Sequence, residues 1–200
     1  MLRRSRIALA AAALSIASFA LVAHAGPFGN VGKGRIKIEA EAKPALGKFD
    51  GSCSEIAAKE EGGKLVFTAK LYESSKNKKG EEEDKFHLDM GLRQSHTIEA
   101  FEVKKYPTVK LVVDKSKVKI PAANGEKTTG SVTGDLTLHG KTKPVTVNYS
   151  LKREGSNLIA NDTAFTFNYQ EFGVGKISRL GIRVENPVTI TVVSLKLKDN

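Results

Sequence analysis

The chain has 200 residues, with 32 Lys and Arg against 22 Asp and Glu, a formal net charge of +10, one cysteine and no tryptophan. A lone cysteine excludes an internal disulfide framework, so the fold must be held by burial of apolar side chains. The basic balance raises nucleic acid as a partner. However, the lysines alternate with apolar residues in Arg35–Ile38, Lys115–Ile120 and Lys196–Lys198, without interleaved aromatics. That is the pattern of a solvated strand face, not of a base-stacking surface, and no nucleic acid is expected. A transient, salt-sensitive contact with an anionic membrane surface is compatible with the same charges.

Residues 1–25 have the layout of an export signal. Arg3, Arg4 and Arg6 form a basic start, Ile7–Val22 is an uncharged apolar run, and Ala23-His24-Ala25 supplies small residues at −3 and −1. Cleavage after Ala25 would place a single domain, residues 26–200, in the periplasm with a net charge of about +7. The apolar run is too short for a convincing membrane span and no second one follows, so the mature chain is expected to carry no integral span.

Period-two alternation then dominates. Ile36, Ile38 and Ala40 share one strand face, and Gly47–Gly51 reads as a turn. Cys53 reads as a small buried apolar residue, with a reactive thiol as the alternative. Leu65, Phe67, Ala69 and Leu71 form the next face. Lys76–Asp84 is a charged loop, and Asp89–Phe101 reads as a short helix stopped by Tyr106-Pro107. Val109, Leu111 and Val113 follow, with Val118 and Ile120 continuing the pattern. Val132, Gly134, Leu136 and Leu138 lead through a tight turn at Gly140–Pro144 to Val145, Val147, Tyr149 and Leu151. Phe165, Phe167 and Tyr169 make a late aromatic face, and Val188, Ile190 and Val192 a final one. The parity changes at Val193, which a bulge would explain. About eight strands with frequent turns indicate an antiparallel barrel or sandwich.

Signals for catalysis are weak. His87, His96 and His139 are widely spaced, with neither a Cys partner nor an HExxH pattern, so no metal site is expected. No GxSxG elbow exists. Gly125–Thr128 resembles the end of a P-loop but lacks its upstream glycine, and reads as a turn. Asp135 and His139 share a strand face yet lie too far apart for a direct hydrogen bond. The run Glu81–Asp84 lacks the alternating ligands of an EF-hand. No catalytic residue is assigned, and the chain reads as a non-enzyme.

One stretch is far more specific. Gly134-Asp135-Leu136-Thr137-Leu138-His139-Gly140-Lys141-Thr142-Lys143-Pro144-Val145 closely resembles the signature hairpin of the YceI-like family of periplasmic lipocalin-like proteins. Gly91–His96 is similar to that family's helix carrying an Arg and a His three residues on. Lys105-Tyr106-Pro107 is similar to its KYP approach to the next strand, and Glu171-Phe172-Gly173-Val174 to its late acidic-Phe-Gly motif. Some positions depart from the pattern. Lys141 replaces an apolar residue, Gln94 a common Asp, the His before the first strand is not visible, and the Arg179–Asn186 connection is longer and more basic.

The resemblance implies an all-β fold, an extended antiparallel eight-stranded lipocalin-like barrel with one short helix inserted near residues 89–101. Its interior would hold a polyisoprenoid, quinone or fatty amide, with no other cofactor. A barrel of eight strands can equally be filled by its own side chains, and the sequence leaves both open. Candidate ligand contacts are Phe67, Leu71, Val109, Leu111, Leu136, Leu138, Val147, Phe165 and Phe167, for each of which, taken singly, ordinary core is the commoner role. Arg93 and His96 would meet a head group or, as readily, pin the helix to the barrel. A homodimer is left open. One alternative is a filled barrel acting through its lysines and the Lys76–Asp84 loop in an envelope stress response. The lowest-ranked alternative is a calycin-like enzyme using His96 or His139.

Overall fold

Strands whose alternate side chains are apolar can bury one face only by curling the sheet onto itself or stacking it on another. In a computed structural model, which describes residues 28–198 apart from 31–33, 45–46 and 180, the sheet curls. The expected export signal and its cleavage site lie outside the described residues.

The main strands are β1 (Gly34–Lys43), β2 (Gly47–Glu61), β3 (Lys64–Lys70), β4 (Tyr72–Lys76), β5 (Glu82–Phe86), β6 (Thr108–Asp114), β7 (Lys127–Leu138), β8 (Lys141–Glu154), β9 (Asn157–Ala160), β10 (Thr163–Phe167) and β11 (Val188–Lys198). One α-helix, α1, spans Gln94–Ala100. Every pairing among the described residues is antiparallel. β1 pairs β2, β2 pairs β3, β3 pairs β6, β6 pairs β7 and β7 pairs β8. β8 then pairs β9 and β10 in succession, both of these pair β11, and β11 returns to β1. Counting β9 and β10 as one interrupted stave, the ladder runs through eight staves and back to its start. The eight-stranded expectation therefore holds.

Local differences have local causes. Gly47–Gly51 is the first part of β2, not a turn, because these residues already pair with Ile38–Ala42 of β1. Lys76–Asp84 is not a loop throughout. β4 and β5 form a separate hairpin with Tyr72 opposite Phe86, and the Asn77 carboxamide oxygen accepts the Lys79 and Glu81 N–H groups to make its turn. Val118 and Ile120 lie in an irregular segment after a 3-10 turn at Lys115–Lys117, where the Asp114 carboxylate accepts the Ser116 N–H. The β7–β8 reversal is a two-residue turn one step earlier than expected. His139 (φ 50°) and Gly140 (φ 74°) take the left-handed values that match strand twist, and Lys141–Pro144 are already strand. The helix is shorter than 89–101 and follows a 3-10 turn at Gly91–Arg93. Register between β11 and β1 slips between Val192 and Ser194, which leaves Val193 as the bulged, exposed residue.

Candidate functional site

Facing partners in an antiparallel ladder point to the same side of the sheet, so the registers trace the inner wall. One row runs Ala58, Phe67, Leu111 and Leu136 across β2, β3, β6 and β7. A second runs Val132, Val147, Phe165, Ile190 and Ile38 across β7, β8, β10, β11 and β1. It ends at Gly51 on β2, where the Met90 side chain fills the place a Cβ would occupy.

These rows do not meet in the middle. They enclose a cavity of about 200 Å³, more than the roughly 150 Å³ that accommodates a benzene-sized molecule. Phe67, Ala69, Val109, Leu111, Phe165 and Phe167 point inward yet stay only half-buried. Along β11 the wall continues from Val188 to Leu197, roughly 30 Å of extended chain. The barrel is not filled by its own side chains.

Among the described residues no charged side chain lines this space, and its polar residues are few. The Thr97 hydroxyl donates to the Arg93 carbonyl at 3.0 Å, the Tyr149 hydroxyl accepts the Lys119 N–H at 2.9 Å, and the Thr163 hydroxyl accepts the Ser150 N–H at 3.2 Å. Such a wall offers area for apolar contact and little directional bonding.

All nine apolar candidates, Phe67, Leu71, Val109, Leu111, Leu136, Leu138, Val147, Phe165 and Phe167, lie on the cavity wall. Arg93 and His96 do not. The Arg93 guanidinium stands 4.4 Å from the centre of the Phe49 ring, tying the helix to β2 by a cation–π contact. Phe49, Thr97, Phe101 and Phe28 also line the cavity, and sequence reading missed them. Phe49 was hidden in a presumed turn, and Phe28 stands outside any alternating run.

The other chemistry-bearing residues sit elsewhere. His139 Nε2 is 2.7 Å from the Glu102 carboxylate and its ring lies tilted against Tyr106, outside the cavity. His87 is buried at the base of the β4–β5 hairpin with Nε2 3.2 Å from Glu73. The Cys53 thiol is buried, 3.5 Å from the Lys70 carbonyl, and burial pushes its pKa up, consistent with the apolar reading. Among the described residues, no cluster of three His, Cys, Asp or Glu could hold a metal, and no helix is long and apolar enough to cross a membrane.

The model of the YceI-like domain matches residues 32–194. The chain belongs to the YceI-like family. A UPF0312 protein of Pseudomonas putida (strain W619) is 35% identical over 133 residues, 63% of this chain and 60% of that protein. A UPF0312 protein of Pseudomonas syringae pv. syringae (strain B728a) is 33% identical over 135 residues, with the same shares of each chain. The chain thus spans about 60% of the length of the curated relatives it matches.

Among solved structures, a polyisoprenoid binding domain from Saccharophagus degradans implicated in plant cell wall breakdown superposes with TM-score 0.65 at 11% identity. That alignment covers 86% of this YceI-like chain and 98% of the other. BcnA of Burkholderia cenocepacia superposes with TM-score 0.51 at 20% identity over 81% and 94% of the two chains. At these identities the likeness establishes the YceI-like fold.

Proposed function

We propose that this YceI-like chain is exported to the periplasm and carries one long apolar molecule, a polyisoprenoid, quinone or fatty amide, inside its barrel. One observation carries the reading, the continuous apolar wall around an unfilled interior. Each buried methylene contributes about 0.8 kcal/mol, so ten buried carbons give roughly 8 kcal/mol before ordering costs. Micromolar binding is within reach without a strong polar contact. Tail length and shape then dominate selection.

The same wall argues against catalysis. Among the described residues, neither His96 nor His139 faces the cavity, and no carboxylate, imidazole, amine or thiol lines it. The end covered by α1 is the portal in this reading. The seven-residue helix has no fully buried side chain, no side-chain N-cap and no acidic residue in its first turn, so it is too short to stand without its contacts to the barrel.

Native mass spectrometry of the protein purified from its own host tests the proposal. A co-purifying lipid near stoichiometric amount is expected. A clean unliganded mass, together with no uptake of a fluorescent polyprenyl probe, would sink it.

A further inference from the structure

Two pieces of chain cross the barrel end opposite α1. The first is the segment joining β6 to β7. Its Lys119 N–H donates to the Tyr149 hydroxyl at 2.9 Å, and its Lys119 carbonyl accepts the Thr128 hydroxyl at 2.6 Å. Val118 and Ile120, on either side of Lys119, both reach the cavity.

The second piece is Phe28. Gly29 pairs with Lys198 of β11 and with Lys59 of β2, so the backbone here extends the β1 stave to its far end. Phe28 is 3% exposed and lines the cavity. Its backbone is held from both sides by Glu60. The Phe28 N–H donates to the Glu60 carboxylate at 3.3 Å, and the Phe28 carbonyl accepts the Glu60 N–H at 2.9 Å.

The same carboxylate receives Lys115 Nζ at 2.7 Å, and that ammonium stands 4.7 Å from the centre of the Phe28 ring. Lys115 follows β6, three staves round the ring from β1. The lysine side chain therefore reaches back across β3 to Glu60 on β2, and its ammonium caps the Phe28 ring at this end of the cavity. The pair that fixes it is well covered, with 25% and 15% of the Lys115 and Glu60 side chains exposed. Such coverage makes an ion pair and a cation–π contact more than a surface ornament.

We infer that Phe28 is the stop that sets the longest apolar tail this barrel accepts. The inference rests on the carrier reading above. A tail entering beside α1 gains contact with every added methylene until it meets the Phe28 ring. Beyond that length, extra carbons have to fold back or stay in water and add no affinity. Glu60 and Lys115 act as positioning residues, because they touch the ring and its backbone and do not line the cavity.

The test is a titration of the full chain with linear prenols of graded length, from farnesol to decaprenol. Affinity for the wild-type protein should rise with length and then level off. In Phe28→Ala the plateau should move by at least one isoprene unit, with the first prenol past the old plateau bound roughly tenfold tighter. Lys115→Met, which frees the ring without removing it, should move the plateau in the same direction by less. Phe28→Leu serves if the alanine variant fails to fold, and Lys115→Met decides alone if both do. An unchanged plateau in a folded variant overturns the stop. A wild-type protein that takes up no prenol of any length overturns the carrier reading instead.

Discussion

Arg93 and Phe49 are 44 positions apart in sequence, yet the guanidinium of one lies 4.4 Å from the ring centre of the other. This contact joins the only α-helix among the described residues to a strand that lines the cavity. It makes Arg93 a fastener of the barrel end that α1 covers.

Arg93→Ala should therefore lower stability by about 0.5–1 kcal/mol and speed release of a bound fluorescent polyprenol, with the lysine variant intermediate. Stopped-flow release and thermal melts read both. If Arg93 instead meets a head group, the alanine variant would lose affinity only for prenyl compounds with a charged head, with release of the alcohol unchanged.

Leu111 and Leu136 are direct partners on the inner wall, but only Leu136 is fully covered, at 1% exposure. Leu136→Ala should cost about 2–5 kcal/mol by chemical denaturation. Leu111→Trp points a larger side chain into open space, so it should leave stability nearly unchanged while abolishing probe uptake. Full uptake by a folded Leu111→Trp protein would place the ligand elsewhere.

Gly130 faces Tyr149 across β7 and β8. A Cβ at Gly130 would sit 2.5 Å from the Tyr149 hydroxyl oxygen, too close to be tolerated without moving the ring off the Lys119 N–H. Gly130→Ala should destabilise by roughly 1–3 kcal/mol. Tyr149→Phe, which removes only the hydroxyl, should cost about 1 kcal/mol. Equal melting points for the two variants and wild type would show that the β6–β7 segment is not anchored through this bond.

The hydrogen bond from Lys70 is the largest influence on Glu73, holding its pKa down to about 2 from 4.5. Lys85 and His87 add to the effect. A carboxyl whose folded pKa is depressed stabilises the fold above its unfolded pKa and loses that contribution as pH falls through the folded value. Melting temperature should thus fall as pH drops from about 4.5 toward 2. In Glu73→Gln this acid limb should be shallower. Parallel pH profiles for the two proteins would dismiss Glu73 as its source.

The sequence by itself determined which side chains face inward. Alternation at Phe67, Val109, Leu111, Leu136, Leu138, Val147, Phe165 and Phe167 needs only the two-residue period of a strand, and all of them reach the wall. It also announced the bulge at Val193 through a change of parity, and the family through the hairpin at Gly134–Val145. Whether those side chains meet or leave a channel was decided by the tertiary structure alone. Barrel diameter depends on how many staves pair and with what stagger, and neither is written in any local pattern. The same holds for Phe28, Phe49 and Arg93. Their roles come from partners far along the chain, Lys115 and Glu60 for the first and each other for the remaining two, brought together only once the ring of strands has formed.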